Sequence, residues 1–517
     1  MVNKAIFKPY FGKLLAGTTT TNHEGAAAYA LSPREALAQY AVTGTFSDIF
    51  YADAGEQLDA VRQLAAEVEP EFLAKLAIHA AEKGHMKDMP VMLLAMLSSL
   101  ESDAFARAFP RVVKSGKMLR GFVQVMRSGV TGRKSLGTRP KKMVQAWFDR
   151  VTTEQFLHAM VGNDPSLPDV IRMVHPKPRD AERQALYAWA VGKPYDVAAL
   201  PAEVKAFEAF KRDSSLPLPP VPFQMLTSLG LSKEQWSEIA LKGSWQMVRQ
   251  NLNTFARNGV FEVDGMAERL AARIADPEAV RKARVFPYQL MVAWHMANQS
   301  VPAVVADALQ DAMEVAISSV PTIGGNVVVC PDVSGSMSSP VTGYRKGATS
   351  AVRCIDVAAL VAASFLRRNR RTRIIPFEQD VVNVQLNGRD SVMTNAAKLA
   401  AVGGGGTNCS APLRLLAKEK AAVDLVLFVS DNQSWMDARG HGQATGMMVE
   451  WARLKRLNPA AKLVCLDIQP YVQTPAKAED VLNIGGFSDG VCGAITSFAA
   501  GKSGPGDWVR RIEATDL

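Results

Sequence analysis

The chain has 517 residues, of which 48% are apolar and 21% charged, and its net charge is +9. This composition excludes a disordered chain, and the length exceeds what one hydrophobic core supports, so we expect two or more domains. The longest apolar stretches are far shorter than the roughly 20 residues that cross a membrane, and lysines interrupt the N-terminal apolar residues where a signal peptide would lie. We therefore expect a cytoplasmic protein.

All five cysteines lie in the last two-fifths of the chain, and none belongs to a Cys-x-x-Cys pair. This pattern fits buried thiols in a reducing compartment better than a disulfide framework or a zinc site. The seven histidines are scattered, and no His-Glu-x-x-His motif occurs. Zinc-enzyme and hydrolase functions therefore have little support.

Residues 31–319 carry the pattern of successive helices. Apolar residues recur there at three- and four-residue spacing between short breaks of Pro, Gly or Asp, and Ser32 and Pro33 are typical of a helix start. Helices that follow one another without intervening strands predict an α-solenoid of stacked antiparallel pairs. The predicted helices include 57–68, 70–83, 90–100, 114–127, 153–161, 180–191, 233–240 and 263–275.

Basic residues are concentrated in one window of this helical part. Between residues 101 and 150, twelve basic residues stand against three acidic ones, an excess equal to the net charge of the whole chain. A solvated face normally mixes both signs, so the window favours a phosphate-contacting surface, although it cannot separate RNA from DNA or an acidic protein. The predicted phosphate contacts are Lys114, Lys117, Arg120, Arg127, Arg133, Lys134, Arg139, Lys141 and Lys142, with residues 132–142 predicted as a loop.

Near residue 321 the periodicity changes, and predicted strands begin to alternate with predicted helices. This alternation is typical of a doubly wound, mainly parallel sheet with helices on both faces. We therefore assign a helical-repeat domain to residues 1–320 and an α/β domain to residues 321–517. The predicted strands are 326–330, 373–377, 381–386, 424–430, 462–468 and 481–484, and the predicted helices are 356–370, 394–402, 445–457 and 491–499.

Three polar segments of the α/β domain predict a metal site. Asp332, Ser334 and Ser336 come directly after its first strand, Thr407 follows four glycines, and Asp431 follows a later strand. Each segment alone would be a turn, a linker or a loop acid. Together they place two carboxylates and three hydroxyls where open α/β sheets bind ligands, and these are the hard oxygen ligands that Mg²⁺ prefers.

These five residues match the metal-ion-dependent adhesion motif of the von Willebrand factor A domain, which the C-terminal part therefore resembles. The resemblance implies that the three hydroxyls bind a divalent ion directly or through water, while the two carboxylates supply charge. It further implies a binding device whose ion accepts a carboxylate from a partner, rather than an enzyme centre. Asn408 stands where relatives carry an acid, which removes charge near the ion but not a principal ligand.

A helical part followed by an A domain resembles the Ro 60 kDa autoantigen family, whose bacterial members are Ro-like RNA-binding proteins. The resemblance implies a ring of HEAT-like repeats, the TROVE domain, clasped by the A domain. It also implies Y RNAs on the outer surface and 3′ ends of misfolded RNAs in a central hole. His175 and Lys177 match the family pattern for RNA contact, although a lone histidine is as often structural. The segments that carry the resemblance are 44–46, 87–90, 169–178 and 282–287.

One segment departs from the family pattern. Pro165, Ser166 and Leu167 stand where animal members have Trp-Ser-His, so no histidine contact with RNA is expected there. We predict a non-enzymatic RNA-binding protein of RNA quality control or processing. Its expected partners are a Y-type RNA, misfolded or single-stranded RNA ends and an exoribonuclease, and its expected cofactor is Mg²⁺.

Two other functions are compatible with the sequence. The alternative is a metal-dependent protein-binding scaffold without an RNA function, in which the helical part is only a spacer. A metal-assisted nuclease is least favoured, because three hydroxyls and two acids make a poor two-metal centre and no general base is evident.

Overall fold

The computed structural model describes residues 15–23, 25–44, 46–47, 52–283, 285, 287–297, 300–320, 322–341, 343–344, 352–431, 435, 443–469, 471–486 and 489–517. Its contacts divide the chain into two compact units. The α/β unit contains the described residues up to Gln57 together with Ser319–Val509, and the helical unit contains Leu58–Ser318 and Arg510–Leu517. The long segments meet close to the predicted boundary at residue 320, but the two ends of the chain belong to the opposite units from those predicted.

The elements are numbered in chain order. The first part contains β1 (Thr20–Thr21), β2 (Ala27–Ala30), α1 (Pro33–Thr43), α2 (Ala54–Ala66), α3 (Pro70–Glu82), α4 (Asp88–Leu97), α5 (Ala104–Val112), α6 (Gly116–Ser128), α7 (Thr138–Arg150), α8 (Thr153–Met160), α9 (Leu167–Val174), α10 (Ala181–Val191), α11 (Ala202–Arg212), α12 (Lys233–Lys242), α13 (Trp245–Gln250), α14 (Leu252–Arg257), α15 (Met266–Ala275), α16 (Pro277–Ala283), α17 (Pro287–Met296) and α18 (Ala303–Ala316). The second part contains β3 (Val327–Pro331), α19 (Cys354–Arg368), β4 (Thr372–Ile374), α20 (Val392–Ala400), α21 (Ser410–Lys418), β5 (Leu425–Ser430), α22 (Gly446–Leu457), β6 (Lys462–Asp467), β7 (Gln473–Thr474), β8 (Val481–Gly485), α23 (Asp489–Ala499) and α24 (Asp507–Glu513).

The helices of the helical unit stack in an overlapping series, as their apolar periodicity predicts. Helix α3 contacts α4 and α5, α4 contacts α6, and α7 contacts α5 and α9. Aromatic rings fill the spaces between them. Phe109 and Phe122, for example, meet edge to face with their centroids 5.2 Å apart. Each helix thus buries its apolar face against its neighbours, which is the packing of a helical-repeat protein.

Arginines join the ends of neighbouring helices in this unit. Arg150 donates from Nη2 to the carbonyl of Val113 at 2.8 Å, and Arg183 donates from Nη2 to the carbonyl of Val151 at 2.5 Å. Val113 and Val151 are the C-caps of α5 and α7. Carbonyls at a helix C-terminus lack intrahelical donors and carry partial negative charge. A guanidinium there supplies both the hydrogen-bond donor and a compensating positive charge.

The α/β unit contains a five-stranded sheet in the order β4-β3-β5-β6-β8, and all neighbouring pairs are parallel. Val328 and Cys330 of β3 pack with Phe428 of β5 and Trp451 of α22 in one buried cluster, while α19 contacts β3, β4 and β5. Because every residue of β3 is buried, both faces of the sheet are covered, as the alternating pattern predicts.

The N-terminal segment also belongs to the α/β unit. Strand β2 pairs with β1 and β7 in a small antiparallel sheet. Trp435 donates from Nε1 to the carbonyl of Ala27 at 3.2 Å, and Asn22 donates from Nδ2 to the carbonyl of Trp435 at 3.1 Å. Helix α1, which contacts β8, begins with the predicted Ser32 cap, reinforced by Glu35.

Five of the six predicted strands of the α/β domain are present, and the strand predicted at 381–386 is wrong. That segment forms a single bridge between Val381 and Phe377, where the chain turns back beside the short edge strand β4. Helix α21 was not predicted, because Pro412 resembles a helix breaker but occupies its compatible first turn.

The described helices and cysteines bear on two further predictions. No described helix has the length and apolar character that a membrane span requires. The cysteines are free thiols, as predicted, and Cys330, Cys354, Cys409 and Cys465 are buried, whereas Cys492 is half-buried.

Candidate functional site

Asp332 is the central residue of the predicted metal site, and its carboxylate orientation is fixed on both sides. Its backbone N–H donates to the carbonyl of Val429 at 2.9 Å, which places the residue at the carboxyl end of β3. Oδ1 accepts a hydrogen bond from the Ser334 backbone N–H at 2.9 Å, and Oδ2 accepts one from the Ser430 hydroxyl at 2.6 Å. The carboxylate is therefore preorganised within the sheet edge.

The glycine run before Thr407 is a packed loop rather than a linker. Gly335 donates from its backbone N–H to the carbonyl of Gly405 at 3.2 Å, which joins the loop after β3 to this run. Gly405 has a φ of +69°, and a Cβ built there would lie 2.5 Å from Oε2 of Glu378. Only glycine fits this position without strain, and the loop then brings Thr407 to the sheet edge.

Asp431 follows β5 at the same edge. Burial raises the pKa of the Cys354 thiol at the start of α19, and the negative charges of Asp431 and Asp332 raise it further. Both carboxylates therefore act on the N-terminal end of that helix. Ser334 and Ser336 place their hydroxyl oxygens 3.4 Å apart on the first loop. The three predicted segments thus meet at one edge of the sheet.

The electrostatics of the site favour a cation. The five predicted ligands are each between 0% and 5% exposed. Burial raises the pKa of Asp332, although hydrogen bonds from Ser430 and Ser334 lower it. These partners are hydroxyl and amide groups, which leave the charge of a buried carboxylate uncompensated.

The donor set fits Mg²⁺, which binds proteins through one or two carboxylates and keeps several waters. Asp332 and Asp431 would supply charge, and the hydroxyls of Ser334, Ser336 and Thr407 would complete the shell. Within the described part of the chain, no three His, Cys, Asp or Glu side chains form a metal cluster.

Sequence reasoning missed two side chains of this edge. Ser430 orients Asp332, and Glu378 lies against Gly405 beside the glycine loop. Glu378 comes directly after the predicted strand that ends at Phe377. Asp332 was predicted because it directly follows a strand, and the same criterion applies to Glu378. Asn408 donates from Nδ2 to the carbonyl of Gln379 at 3.0 Å, a bond that an acid at this position could not donate.

The secondary structure of the basic window, residues 101–150, differs from the predicted one at the start of α7. This helix begins at Thr138, so Lys141 lies at the end of its first turn and Lys142 at the start of its second, and neither lies in a loop over residues 132–142. The Lys141 backbone N–H donates to the carbonyl of Gly137 at 3.2 Å. Pro140 misled the prediction, because proline interrupts helix interiors but suits a first turn.

Two of the predicted phosphate contacts serve the packing of helices. Arg120 is only 8% exposed and donates from Nη1 to the carbonyls of Ala159 and Gly162, both at 3.0 Å. Its prediction as a phosphate contact is corrected, because the guanidinium closes the end of α8. Arg139 is half-buried and donates to the carbonyl of Leu100 at 3.2 Å, so it is largely engaged within the protein.

Four other predicted contacts are exposed. Lys114 pairs with Glu82 at 2.9 Å, and Lys117 lies 4.0 Å from Asp88. Such exposed pairs are weak and exchange readily. His175 and Lys177 lie at the end of α9, which Gln145 of α7 joins by donating to the Val174 carbonyl at 2.6 Å.

The remaining five predicted contacts form what we call the basic surface. Lys141 is half-buried and the others are exposed, and no ion pair or hydrogen bond of these side chains occurs within the described residues. The first turn of α7 holds no acidic residue, so its cations add to the positive end of the helix dipole and favour an anion. The basic surface consists of Arg127, Arg133, Lys134, Lys141 and Lys142.

Comparisons with known proteins agree with both units. The family model of the Ro60 von Willebrand factor A domain matches residues 326–499. RNA-binding protein RO60 of Deinococcus radiodurans is 24% identical over 93% of this chain and 95% of its own length. The chain is therefore similar over nearly its whole length to an RNA-binding protein of the Ro 60 kDa family. RNA-binding protein RO60 of Caenorhabditis elegans is 22% identical over 46% of this chain and 37% of its own.

A Ro family structure shares the fold. The crystal structure of the Deinococcus radiodurans RO (RSR) protein aligns with a TM-score of 0.61 and 21% identity, covering 91% of this chain and 100% of that one. The combination of stacked helices and an α/β A domain is therefore the Ro fold. Both sequence relatives are named RNA-binding proteins.

Proposed function

We propose that this protein binds RNA through the basic surface of its helical unit. The observation that carries the proposal is the group of five cations at the end of α6, in the following loop and at the start of α7, none of which makes an ion pair or side-chain hydrogen bond within the described residues. Unpaired cations beside a helix N-terminus attract phosphates. The names of the two relatives support the same ligand.

The finer part of the proposal follows the Ro family resemblance. The ligand of the basic surface is a small noncoding RNA of the Y type, because folded RNA is recognised largely by shape and phosphate. Single-stranded 3′ ends of misfolded RNAs are a second ligand. The protein acts without catalysis in RNA quality control or processing, where it works with an exoribonuclease.

Neutralising four cations together tests the proposal. In the variant Arg133→Gln, Lys134→Gln, Lys141→Gln and Lys142→Gln, we expect affinity for a structured RNA to fall roughly 10- to 100-fold near 0.1 M salt. The slope of log affinity against log salt should decrease by about 3, since fewer counterions are released. Gel-shift titrations at several salt concentrations measure both quantities.

A matched control removes the same charge elsewhere on the helical unit. Lys193, Arg212, Arg269 and Arg281 are exposed and lie on or beside later helices. Their joint replacement by Gln should leave the salt slope within about one of the unmodified value. Unchanged affinity in the first variant, or an equal loss in the control, would exclude the basic surface as the RNA site.

The metal site supports a second candidate function within the same chain. Its buried carboxylates and hydroxyls suit an Mg²⁺ ion, and an ion at a sheet edge can accept a carboxylate from an acidic protein partner. A scaffold that uses only this site would capture its partner in an Mg²⁺-dependent way and would co-purify without RNA. Sequencing the RNA that accompanies the native protein separates the two functions.

A further inference from the structure

Arginines are concentrated where α19 is followed by the edge strand β4. Residues 367–373 contain five arginines and no acidic residue, and all five side chains are exposed. Arg367 and Arg368 lie in the last turn of α19, where a cation complements the partial negative charge of the helix end. Arg368 also donates to a backbone carbonyl at 3.3 Å, and Arg373 pairs with Glu419. These three arginines therefore have structural roles.

The other two arginines of the run occupy the corner of a turn. The Thr372 backbone N–H donates to the carbonyl of Asn369 at 3.1 Å, which leaves Arg370 and Arg371 at the two central positions of the turn. The Asn369 side chain fixes the start of this turn, because its Oδ1 accepts a hydrogen bond from the Ile323 backbone N–H at 2.7 Å. The two exposed guanidinium groups thus stand on a defined support.

A second turn lies against the end of α19. The Asp390 backbone N–H donates to the carbonyl of Asn387 at 2.9 Å, so Arg389 occupies a central position of this turn, and its side chain is exposed. Arg367 joins the turn to α19 by donating from Nη1 to the carbonyl of Arg389 at 3.4 Å. The acid of the turn, Asp390, pairs with Lys398 at 2.9 Å. We call Arg370, Arg371 and Arg389 the arginine corner.

The charge of the arginine corner is uncompensated. No ion pair or hydrogen bond of its three side chains occurs in the part of the chain that the structure describes. A guanidinium presents its donors in a planar fork that matches the oxygens of a phosphate or a carboxylate, and it stays charged throughout the physiological pH range. The arginine corner therefore suits a polyanion.

The surroundings of the arginine corner favour phosphate over an acidic protein. Among the described residues, no exposed large apolar side chain lies on either turn or on β4. A protein interface relies on buried aromatic or aliphatic anchors, and single-stranded RNA relies on aromatic rings that stack its bases. Duplex RNA needs neither, because it is recognised by its shape and its phosphates.

The arginine corner and the predicted metal site lie at opposite edges of the sheet. Thr372 of β4 pairs with Val327 at the start of β3, whereas Asp332 follows the end of β3. The extended residues of β3 separate these two ends by roughly 16 Å. A ligand of the arginine corner therefore does not require the metal ion.

We infer that the arginine corner binds the phosphate backbone of duplex RNA without reading its sequence. Each guanidinium contacts a phosphate through charge-assisted hydrogen bonds. Because these contacts are electrostatic, they contribute to affinity and to its salt dependence rather than to a preference for particular bases. The inference rests on the proposed function and adds an RNA contact on the α/β unit.

Replacing the two arginines of the first turn tests the inference. In the full-length variant Arg370→Gln with Arg371→Gln, we expect affinity for an RNA duplex of about 20 base pairs to fall roughly fivefold near 0.1 M salt. The slope of log affinity against log salt should decrease by about 1.5. Arg370→Lys with Arg371→Lys keeps the charge and should retain the slope. Fluorescence anisotropy of the labelled duplex at several salt concentrations measures both quantities.

A matched control removes two exposed arginines of the helical unit, Arg269 and Arg281. Arg269→Gln with Arg281→Gln should leave the affinity and the slope unchanged. If the unmodified protein binds the duplex and the first variant behaves like this control, the inference is wrong and the proposed function stands. If the unmodified protein shows no salt-dependent binding of RNA, the proposed function fails as well.

A labelled oligoglutamate peptide tests the other class of polyanion. We expect Arg370→Gln with Arg371→Gln to bind this peptide no more weakly than the unmodified protein does. Loss of peptide binding in that variant, with RNA binding unchanged, would overturn the assignment of RNA and identify an acidic protein as the ligand.

Discussion

The predicted metal site and the basic surface use charge in opposite ways. At the predicted metal site the Asp332 carboxylate is buried and accepts hydrogen bonds from a hydroxyl and an amide group, so it depends on a counter-ion and on one fixed geometry. At the basic surface the cations are largely exposed and separate, so each contributes modestly and is screened by salt. Loss of one group should abolish the first function but only weaken the second.

Arginines within the helical unit form a third class. Arg120, Arg150 and Arg183 carry the same charge as the basic surface but donate to carbonyls at helix ends. Their loss should lower stability and leave RNA contacts in place. Buried arginines of the helical unit therefore stabilise the fold, whereas the exposed cations of the basic surface are available to a ligand.

The largest expected effect comes from Arg120→Ala. It leaves the carbonyls at the end of α8 without their donor, and we expect the free energy of unfolding to fall by about 3 kcal/mol. Urea unfolding followed by circular dichroism measures it. The matched variant Arg127→Ala on the same helix should change stability by less than about 0.5 kcal/mol and should weaken RNA binding instead. Equal destabilisation by the two variants would contradict the distinction between a structural Arg120 and a ligand-binding Arg127.

A slightly smaller effect concerns His79 in α3. Burial, followed by the charges of Lys83 and Arg511, lowers its pKa to about 4. The folded state therefore binds its proton less readily than the unfolded state, so stability is complete above about pH 6.5 and falls as the pH drops toward 4. Between pH 7.5 and pH 4.5 we expect His79 to contribute a loss of about 2 kcal/mol.

Unfolding of the unmodified protein and of His79→Gln at both pH values isolates this contribution. The carboxylates common to both proteins cancel in the difference. If the two proteins lose the same stability on acidification, His79 is not the group responsible. This measurement sharpens the comparison, because it shows what an uncompensated buried cation would cost inside the helical unit.

The smallest effect is the stabilisation by Mg²⁺. At a concentration tenfold above its dissociation constant, an ion that binds only the folded protein stabilises it by about 1.4 kcal/mol. Asp332→Asn should abolish the rise in melting temperature on adding Mg²⁺. The surface variant Asp390→Asn, which removes an acid paired with Lys398, should retain it. A rise that persists in Asp332→Asn would place the ion elsewhere.

The convergence of the candidate metal ligands at one sheet edge could be predicted from the sequence, because these residues are tied to strand ends. Asp332 and Asp431 each follow a buried strand, and parallel strands bring such residues to one edge. The basic residues of the window 101–150 are not tied to strand ends in this way. Arg120 and Arg127 lie on the same helix, and only the tertiary packing of α8 onto α6 buries the first and leaves the second exposed.

The N-terminal segment could not be assigned for a different reason. Strand β2 is short, and its partner β7 lies at the far end of the chain. Local sequence preference does not predict such a distant pairing, because non-local strand contacts depend on the whole fold.

The contact between Ala27 and Trp435 has a consequence for synthesis of the chain. These residues are 408 positions apart, so at roughly 5–20 residues per second a ribosome needs about 20–80 seconds to make the second after the first. During that interval β2 can pair with β1 but lacks its later partners, β7 and Trp435, while the helices in between can already fold. A fragment beginning at residue 321 would permanently lack β1, β2 and α1.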